Sequence, residues 1–286
     1  NLTNAQTNAS GYLTAFASDG FTLGTDGAVN TNSSNYVAWN WKAGTTGSGS
    51  TTGTGTAKAY SYSVDTTAGF SIVTYKGNGS AGQQIPHHLG AVPHFILLKP
   101  LDRVDNWRVY HHKLDYSSPA NYQLKINNTA GRADGSDVWN NTIPTSTYFT
   151  LGSNAGVVAN DEDFIAYCFS EKTGYSKFGS YTGNANASGP FINTGFKPAW
   201  VMFKGNNTSN WQLWDNKRDT FNPVEKALHP DINNTASTDQ DIDFLSNGFK
   251  IRGSVAHING SGVSFYYMAF AEAPLVGTNN IPNNAR

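Results

Sequence analysis

The chain has 286 residues, a formal net charge of −1 and only 14% charged residues, against about 25% in ordinary soluble proteins. Because it has no basic run, it lacks the electrostatic footprint of a nucleic-acid-binding protein, and we expect no nucleic-acid partner. No apolar stretch approaches the ~20 residues of a membrane-spanning helix, so we expect no membrane insertion, and a single cysteine excludes an internal disulfide framework.

The first 44 residues match the back half of a unit that recurs later in the chain. The tetrapeptide FTLG at 21–24 returns at 149–152, and YVAWNW at 36–41 falls on FIAYCF at 164–169 with the same spacing. We interpret residues 1–44 as a partial repeat whose front half is missing. Since the sequence also starts without a methionine, we expect it to be the C-terminal part of a longer polypeptide.

The next segment is dominated by glycine, serine and threonine, particularly in its first half. This composition is typical of flexible linkers, because small polar residues bury little apolar surface. We therefore predict a linker at 45–68, between the partial repeat and the rest of the chain.

Two full repeats are predicted at 69–173 and 174–286. GFSIVTYKGNG at 69–79 corresponds to GYSKFGSYTGN at 174–184, and later NWRVYHHKLD corresponds to NWQLWDNKRD and FIAYCFSE to FYYMAFAE. An internal repeat outranks local signals when a fold is inferred. The two repeats are therefore expected to be two copies of one fold.

Alternation of apolar and polar residues dominates both repeats, and helical periodicity is scarce. Short strands separated by turn signals favour antiparallel sandwiches of jelly-roll or lectin-like type. The predicted fold class is all-β, with two tandem antiparallel β-sandwich repeats and an N-terminal partial repeat. One helical turn is predicted at 224–228, after Pro223. The predicted strands are 70–75, 95–99, 107–111, 122–127, 149–152, 164–170, 178–181, 200–204, 211–215, 241–245, 249–252 and 265–271.

One predicted strand of each copy carries large side chains on one face, while its other face is more variable. Because the large positions recur in all three copies, we assign that face to the interior of each sandwich. Cys168, on the other face, is interpreted as a small space-filling residue rather than a reactive thiol. The large positions are Trp39 and Trp41, Tyr167 and Phe169, and Met268 and Phe270.

Five aromatic residues are candidates for glycan binding by stacking on a sugar ring. Two of them lie on the strand face opposite Trp107 and Trp211, which we interpret as core anchors because both repeats carry them. The other three have no counterpart in the second repeat. The candidates are Tyr110, Trp214, Trp139, Tyr116 and Tyr122.

The histidine pairs at 87–88 and 111–112 invite a metal-site interpretation. Adjacent residues of a strand point to opposite faces, so one histidine of each pair is unavailable to a common site. The pairs are also not repeated in the second copy. We interpret them as loop and surface residues rather than zinc or iron ligands.

No cofactor is expected, and an irregular calcium site is kept as the alternative. The run DQDID at 239–243 begins like a calcium loop, but Phe244 and Lys250 stand where an EF-hand requires Gly and Glu. Such an irregular site would use this run or the acidic residues at 161–163.

The sequence contains no catalytic motif. A Gly-x-Ser-x-Gly elbow, a phosphate-binding loop and a dinucleotide-binding loop are all missing. There are 20 acidic residues, and no pair of them stands out by position. We therefore predict no catalytic residue and no enzyme activity.

Several segments resemble the C-terminal region of tail-fibre and other virion structural proteins of marine tailed bacteriophages. The resemblance implies a virion component that faces the host surface, with lectin-like β-sandwich modules, other virion proteins as partners and trimeric assembly. The segments are YVAWNWKAG at 36–44, FIAYCFSE at 164–171, GYSKFGSYTGN at 174–184, IDFLSNGF at 242–249, MAFAE at 268–272 and PNNAR at 282–286.

The function expected from this resemblance is a non-enzymatic tail-fibre or adhesin module that recognises a host-surface carbohydrate. Two alternatives stay open: a capsid-decorating or tail-scaffold protein that binds only virion partners, and a polysaccharide depolymerase. An aromatic-lined groove would favour receptor binding, and a large apolar patch would favour the structural role. A depolymerase would need two carboxylates about 5–10 Å apart in one cleft.

Overall fold

A computed structural model describes residues 2–7 and 9–272 of the chain. This part is all-β, as the sequence predicts, with a few helical turns between strands. The elements are β1 (Leu13–Phe16), β2 (Phe21–Leu23), α1 (Gly27–Asn30), β3 (Thr45–Ser50), β4 (Thr52–Gly53), β5 (Ala59–Asp65), β6 (Phe70–Lys76), β7 (Gln83–Pro86), β8 (Phe95–Pro100), β9 (Arg108–His111), a 3₁₀ turn (Pro119–Asn121), β10 (Tyr122–Lys125), β11 (Ala133–Asp134), α2 (Ser136–Trp139), β12 (Tyr148–Thr150), α3 (Ala155–Val158), β13 (Asp163–Phe169), β14 (Ser176–Thr182), β15 (Phe191–Asn193), β16 (Pro198–Gly205), β17 (Gln212–Asp215), β18 (Ile242–Leu245), β19 (Gly248–Ile251), α4 (Ala256–Asn259) and β20 (Ser264–Ala271).

The first repeat forms a two-layer sandwich. An eight-stranded sheet in the order β11-β10-β9-β8-β13-β6-β5-β3 packs against a three-stranded sheet in the order β12-β7-β4. Its core combines Val73, Ile96 and Ala166 of the large sheet with Ile85 and Phe149 of the small one. These side chains recur at every second position of their strands, which is the period that places them on one sheet face.

The second repeat has the same plan with fewer strands. A four-stranded sheet in the order β14-β20-β16-β17 faces a three-stranded sheet in the order β15-β19-β18. Val201 and Phe203 of β16 and Trp214 of β17 pack against Ile242 of β18 and Phe249 of β19. The predicted helical turn at 224–228 is not formed, because this segment makes isolated bridges to neighbouring chain instead.

The structure contradicts the predicted linker at 45–68. Strands β3 and β5 pair antiparallel and extend the large sheet beyond β6. Gly47 is paired with Tyr62 and Gly49 with Tyr60, and a Cβ added at either glycine would stand within 3.0 Å of the tyrosine ring. Glycine is required here because the rings lie across the neighbouring strand, so a composition that suggests flexibility forms a regular strand.

The two sandwiches pack back to back through the large-side-chain face, which corrects the assignment of that face to each sandwich interior. Phe169 of β13 and Phe270 of β20 lie in a shared cluster with Trp200 of β16. The alternate positions, such as Cys168 and Ala269, point into the cores of their own repeats. Each of the two central sheets is therefore buried on both faces.

Polar contacts across this interface explain several differences between the copies. The Trp211 indole N–H donates to the carbonyl of Lys125 at 2.8 Å. His111 Nε2 donates to the Tyr267 carbonyl at 3.0 Å. His112 Nε2 likewise donates to a carbonyl of the opposite repeat, that of Phe178. His111 is buried, which corrects its interpretation as a surface residue.

The N-terminal partial repeat has the local structure of a back half. Strands β1 and β2 form an antiparallel hairpin, and α1 follows with Asp26 as its N-cap. The next residues, including the predicted strand equivalent at 36–41, run without ladder pairing in the structure. The part of the predicted second repeat at 273–286 lies outside the described residues.

Candidate functional site

Three of the five predicted glycan-binding residues are buried, so the structure contradicts their proposed role. Tyr110 packs edge-on against Trp139 in the core of the first repeat, with ring centroids 5.8 Å apart. Trp214 lies in the core of the second repeat and donates its indole N–H to the Gln240 carbonyl. The predicted exposure failed because the strand face opposite Trp211 is also covered, by the small sheet of the sandwich.

The remaining two candidates lie near the surface and do not form a site with the other three. Tyr116 is fully exposed. Tyr122 is half-buried at the edge of the interface between the repeats, and the Arg132 guanidinium lies 4.2 Å from its ring centroid. This cation–π contact already uses one face of the Tyr122 ring.

An apolar groove of about 450 Å³ lies where the N-terminal segment meets both repeats. We call it the tryptophan groove. Its size is within the range of ligand pockets, and its lining is almost entirely apolar. Its walls include Trp39 and Trp41 of the N-terminal segment, Phe95 and Leu97 of β8, Trp200 and Met202 of β16, and the loop residues His229, Pro230, Ile232, Asn233 and Asn234.

Three tryptophans define one wall of the groove. The rings of Trp41 and Trp200 are 5.5 Å apart and nearly perpendicular, and Trp39 and Trp200 are 6.5 Å apart. The indole N–H groups of Trp39 and Trp200 are buried and have no acceptor among the described residues. A buried donor without a partner is unfavourable by about 1–3 kcal/mol.

The loop residues at 229–234, which also line the groove, are held by polar contacts to Trp211 of the same repeat. His229 Nδ1 lies 3.0 Å from the Trp211 carbonyl, and the Trp211 N–H donates to Asp231 Oδ1 at 3.0 Å. Burial raises the pKa of Asp231, and its Oδ2 atom has no donor in the described part of the chain. No carboxylate and no lysine is among the residues that line the groove, whereas His229 is one of them.

The buried histidines hold backbone groups and stay neutral. His111 and His87 each donate from Nε2 to a carbonyl and accept a backbone N–H at Nδ1. Burial lowers the pKa of His111 to about 3 and that of His87 to about 4. Since both nitrogens are already engaged, neither ring is free to bind a metal or move a proton.

Two buried lysines occupy equivalent positions and have equivalent contacts. Lys99 donates to the carbonyls of Pro100 and Arg103, and Lys204 donates to those of Gly205 and Asn207. Burial lowers the pKa of Lys204 to about 8. A lowered lysine pKa occurs in catalytic lysines. Here the same bonds recur in both repeats, which indicates a structural role in the turn after the strand.

The acidic residues considered for calcium pair with separate cations. Asp161 pairs with Lys58, Glu162 with Arg103 and Asp163 with Lys76. Within residues 2–7 and 9–272, no group of three or more His, Cys, Asp or Glu side chains is arranged to hold a metal ion. The absence of a cofactor remains a prediction.

The sequence does not predict the tryptophan groove, although its pattern singles out some of the residues that line it. The sequence pattern assigns Trp39 and Trp41 to a sandwich interior, and it places Trp200 only in a predicted strand at 200–204. The signal in the sequence is the strand face that carries large side chains in all three copies. That face meets its equivalents from other units, which cannot be inferred from one strand alone.

The described helices are single turns, and none of them is long and apolar enough to cross a membrane. Comparisons with curated proteins and with solved structures gave no match. The sequence model of one family, described as "Domain of unknown function (DUF7483)", matches residues 1–274, which is nearly the whole chain. The chain belongs to this family.

Proposed function

We propose that this protein is a non-enzymatic structural module of a phage particle, located in the virion, that binds a virion protein through the tryptophan groove. The observation that carries the proposal is the groove itself, which is open, apolar and lined by three tryptophans. Exposed apolar surface of this kind typically marks a protein-interaction site. The resemblance to tail-fibre and virion proteins supplies the setting.

The lining of the groove is better suited to contact with a protein partner than to catalysis. No carboxylate lines it, whereas a depolymerase needs two in one cleft. A second, smaller pocket beside β17 has a single carboxylate, Asp219, which accepts backbone N–H bonds from Glu225 and Lys226. These observations support the proposal that the module is not an enzyme.

The proposal can be tested on particles whose genome encodes this chain. Immunogold electron microscopy should place the chain on the particle, and absence of label from intact particles would refute the virion role. Ile232 lies at the groove and Ile143 is exposed outside it. We expect Ile232→Glu to lower incorporation into particles at least 10-fold, because a charge would be buried at the contact. Ile143→Glu, the matched control, should incorporate normally.

Recognition of a host-surface glycan is the second candidate, and one observation favours it. The exposed amides of Asn233 and Asn234 stand at the rim of a groove whose wall contains Trp39. Aromatic rings with nearby amides are suited to stack on sugar rings and hydrogen-bond to their hydroxyls. A glycan array with the wild type and Trp39→Ala tests this candidate, and shortened saccharides in the products would instead reveal a depolymerase.

Trimeric assembly, which the fibre resemblance implies, is part of our proposal, and it is distinct from the contacts that the repeat units make within one chain. Three equivalent aromatic residues of one chain, Trp41, Phe169 and Phe270, contact one another pairwise, with ring centroids 5.4–6.1 Å apart. A single chain thus brings three repeat units to one centre. We keep the homotrimer as the proposed assembly, and sedimentation velocity would test it directly.

A further inference from the structure

The outer face of the large sheet in the first repeat carries a further pocket, which we call the lysine pocket. Its volume is about 440 Å³, within the range of small-molecule sites, and it shares no lining residue with the tryptophan groove. Its floor includes Thr74, Ile165 and Lys99, which stand directly opposite one another on β6, β13 and β8. Because the next residue of β13, Ala166, points into the sandwich core, this row points outward.

The rim of the lysine pocket is formed by the N-terminal segment at 2–6, which lies beside the end of β8. The Gln6 N–H donates to the Leu101 carbonyl at 2.7 Å. The Trp107 indole N–H donates to the Leu2 carbonyl at 3.2 Å, and the Trp107 side chain lines the pocket. Hydrogen bonds therefore hold the rim of the pocket against the sheet that forms its floor.

Lys99 is a buried cation whose hydrogen bonds are incomplete. It is 4% exposed, and a lysine ammonium has three N–H donors. Two of them donate to the carbonyls of Pro100 at 2.7 Å and Arg103 at 3.2 Å, and the third has no acceptor among the described residues. Burial lowers the pKa of Lys99, and Asp105 offsets this only from a distance, because it pairs with Arg108 at 3.1 Å. Buried charges in proteins are normally paired, so Lys99 is unusual in this respect.

The second repeat carries the same row of side chains with two differences. Ser180, Tyr266 and Lys204 stand opposite one another on β14, β20 and β16, so Tyr266 occupies the position of Ile165. Tyr266 is buried, and the first repeat covers it. Lys204 uses all three donors, the third of them on Ser209 Oγ at 3.5 Å. The first repeat thus differs by a smaller side chain, which leaves space, and by a donor without a partner.

These features favour a ligand that combines one negative charge with an apolar body. A single free N–H of a lysine suits a carboxylate, whereas phosphate groups are typically bound by several donors or by arginine. Tyr167 also lines the pocket, and burial raises the pKa of its hydroxyl, which therefore remains an O–H donor. Ile165, Leu101 and Trp107 supply apolar surface around these donors.

We propose that the lysine pocket binds a small organic acid, whose carboxylate accepts a hydrogen bond from the Lys99 ammonium while its apolar body lies between Ile165 and the Trp107 ring. The carboxylate gives Lys99 the charge partner and the third acceptor that the described chain does not supply. Covering the apolar floor removes it from water, which is favourable. The inference goes beyond the proposed function, because it assigns a separate site that involves no virion partner.

Three acids with different apolar bodies serve as probes: octanoate, phenylpropionate and indoleacetate. Each is paired with the primary alcohol that replaces its carboxylate, and isothermal titration calorimetry on the full chain at neutral pH measures the affinities. We expect at least one acid to bind one-to-one with a Kd below about 1 mM. Its alcohol should bind at least about 10-fold more weakly, because it lacks the charge-assisted hydrogen bond. Binding by none of the three acids, or equal binding of acid and alcohol, would overturn the inference.

NMR signals of the indole N–H groups locate the bound acid. The chain has seven tryptophans, and the variant Trp107→Phe identifies the Trp107 signal by its loss. We expect the bound acid to shift the Trp107 signal and to leave that of Trp200, in the tryptophan groove, unchanged. If the Trp200 signal shifts and the Trp107 signal does not, the acid occupies the tryptophan groove and the inference is wrong.

Variants of the two equivalent lysines separate the charge from its structural role. Lys99→Met should weaken binding of the acid at least about 10-fold and leave binding of the alcohol unchanged. Lys204→Met loses the equivalent hydrogen bonds in the second repeat, and it should bind the acid like the wild type. Wild-type affinity for the acid in Lys99→Met would contradict the proposed contact.

A third variant fills the pocket and keeps Lys99 with its bonds. Ile165→Tyr introduces the residue that the second repeat carries at this position, so its ring should occupy the pocket and block both acid and alcohol. Thermal unfolding checks that each variant is folded, and Ile165→Tyr decides alone if Lys99→Met does not fold. Undiminished binding of the acid by folded Ile165→Tyr would place the acid elsewhere and refute the inference.

Discussion

Lowering the pH should destabilise this protein through its buried histidines, and the structure sets the size of the effect. His111 and His87 are buried and neutral, with both ring nitrogens engaged by backbone groups. Protonating Nδ1 of either ring would place a proton against a backbone N–H that already points at it. Burial accordingly lowers the pKa of His111 to about 3 and that of His87 to about 4.

The sign follows from which state binds protons first. An unfolded histidine titrates near pH 6.5, so below that pH the unfolded chain takes up protons that the folded chain refuses. Stability is fully present above pH 6.5 and is lost as the pH falls towards the folded-state pKa. Between pH 7.5 and pH 5.0 each of these two histidines should lower the free energy of unfolding by about 2 kcal/mol.

Urea unfolding followed by tryptophan fluorescence at pH 7.5, 6.5, 5.5 and 5.0 measures this loss. The variant His111→Gln has no titrating group at that position, so its loss over the same range should be smaller by about 2 kcal/mol. His257 is exposed, and His257→Gln is the matched control. If His111→Gln and the wild type lose equal stability over this pH range, His111 is not a buried neutral side chain and the reasoning is wrong.

Three further predictions concern the interface, the β3 strand and the cysteine. Trp211→Phe should lower the free energy of unfolding by about 2 kcal/mol in urea unfolding, because it removes the hydrogen bond from the indole N–H to the Lys125 carbonyl of the other repeat. Trp107 is the half-buried equivalent in the first repeat, and Trp107→Phe should lower the free energy of unfolding by less than about 1 kcal/mol. Gly47→Ala should destabilise by about 1–3 kcal/mol in urea unfolding, because its Cβ meets a tyrosine ring, and Gly253→Ala, with open space around it, should stay within about 0.5 kcal/mol. Cys168 is fully buried, which raises the pKa of its thiol, so a thiol reagent should label it only after unfolding; labelling of the folded protein would contradict the burial.

The repeat and the all-β class were predictable because both are recorded locally. Aligned segments such as those at 69–79 and 174–184 become equivalent strands, β6 and β14, and alternating polarity places them in sheets. The strand β3 was not predictable from its own composition. Its glycines are explained by Tyr60 and Tyr62, which lie on the next strand, and only the pairing register reveals that match.

The candidate site was not predictable because strand parity does not say what covers a face. Tyr110 and Phe169 stand on opposite faces of one sheet, and both are buried, one by the small sheet and the other by the second repeat. A sequence pattern separates two faces but does not distinguish a sandwich interior from a contact between sandwiches. Strand parity therefore predicts an exposed surface for Tyr110 and Trp214, which are both buried.

The aromatic face explains why this chain needs more than one repeat. Side chains such as Phe169 and Phe270 would be exposed if either sandwich stood alone, and an exposed face of that size is unfavourable in water. Packing two units covers part of each face, and Trp41 of the third unit then contacts both. The tryptophan groove lies beside the third unit, whose residues 36–41 belong to no ladder among the described residues.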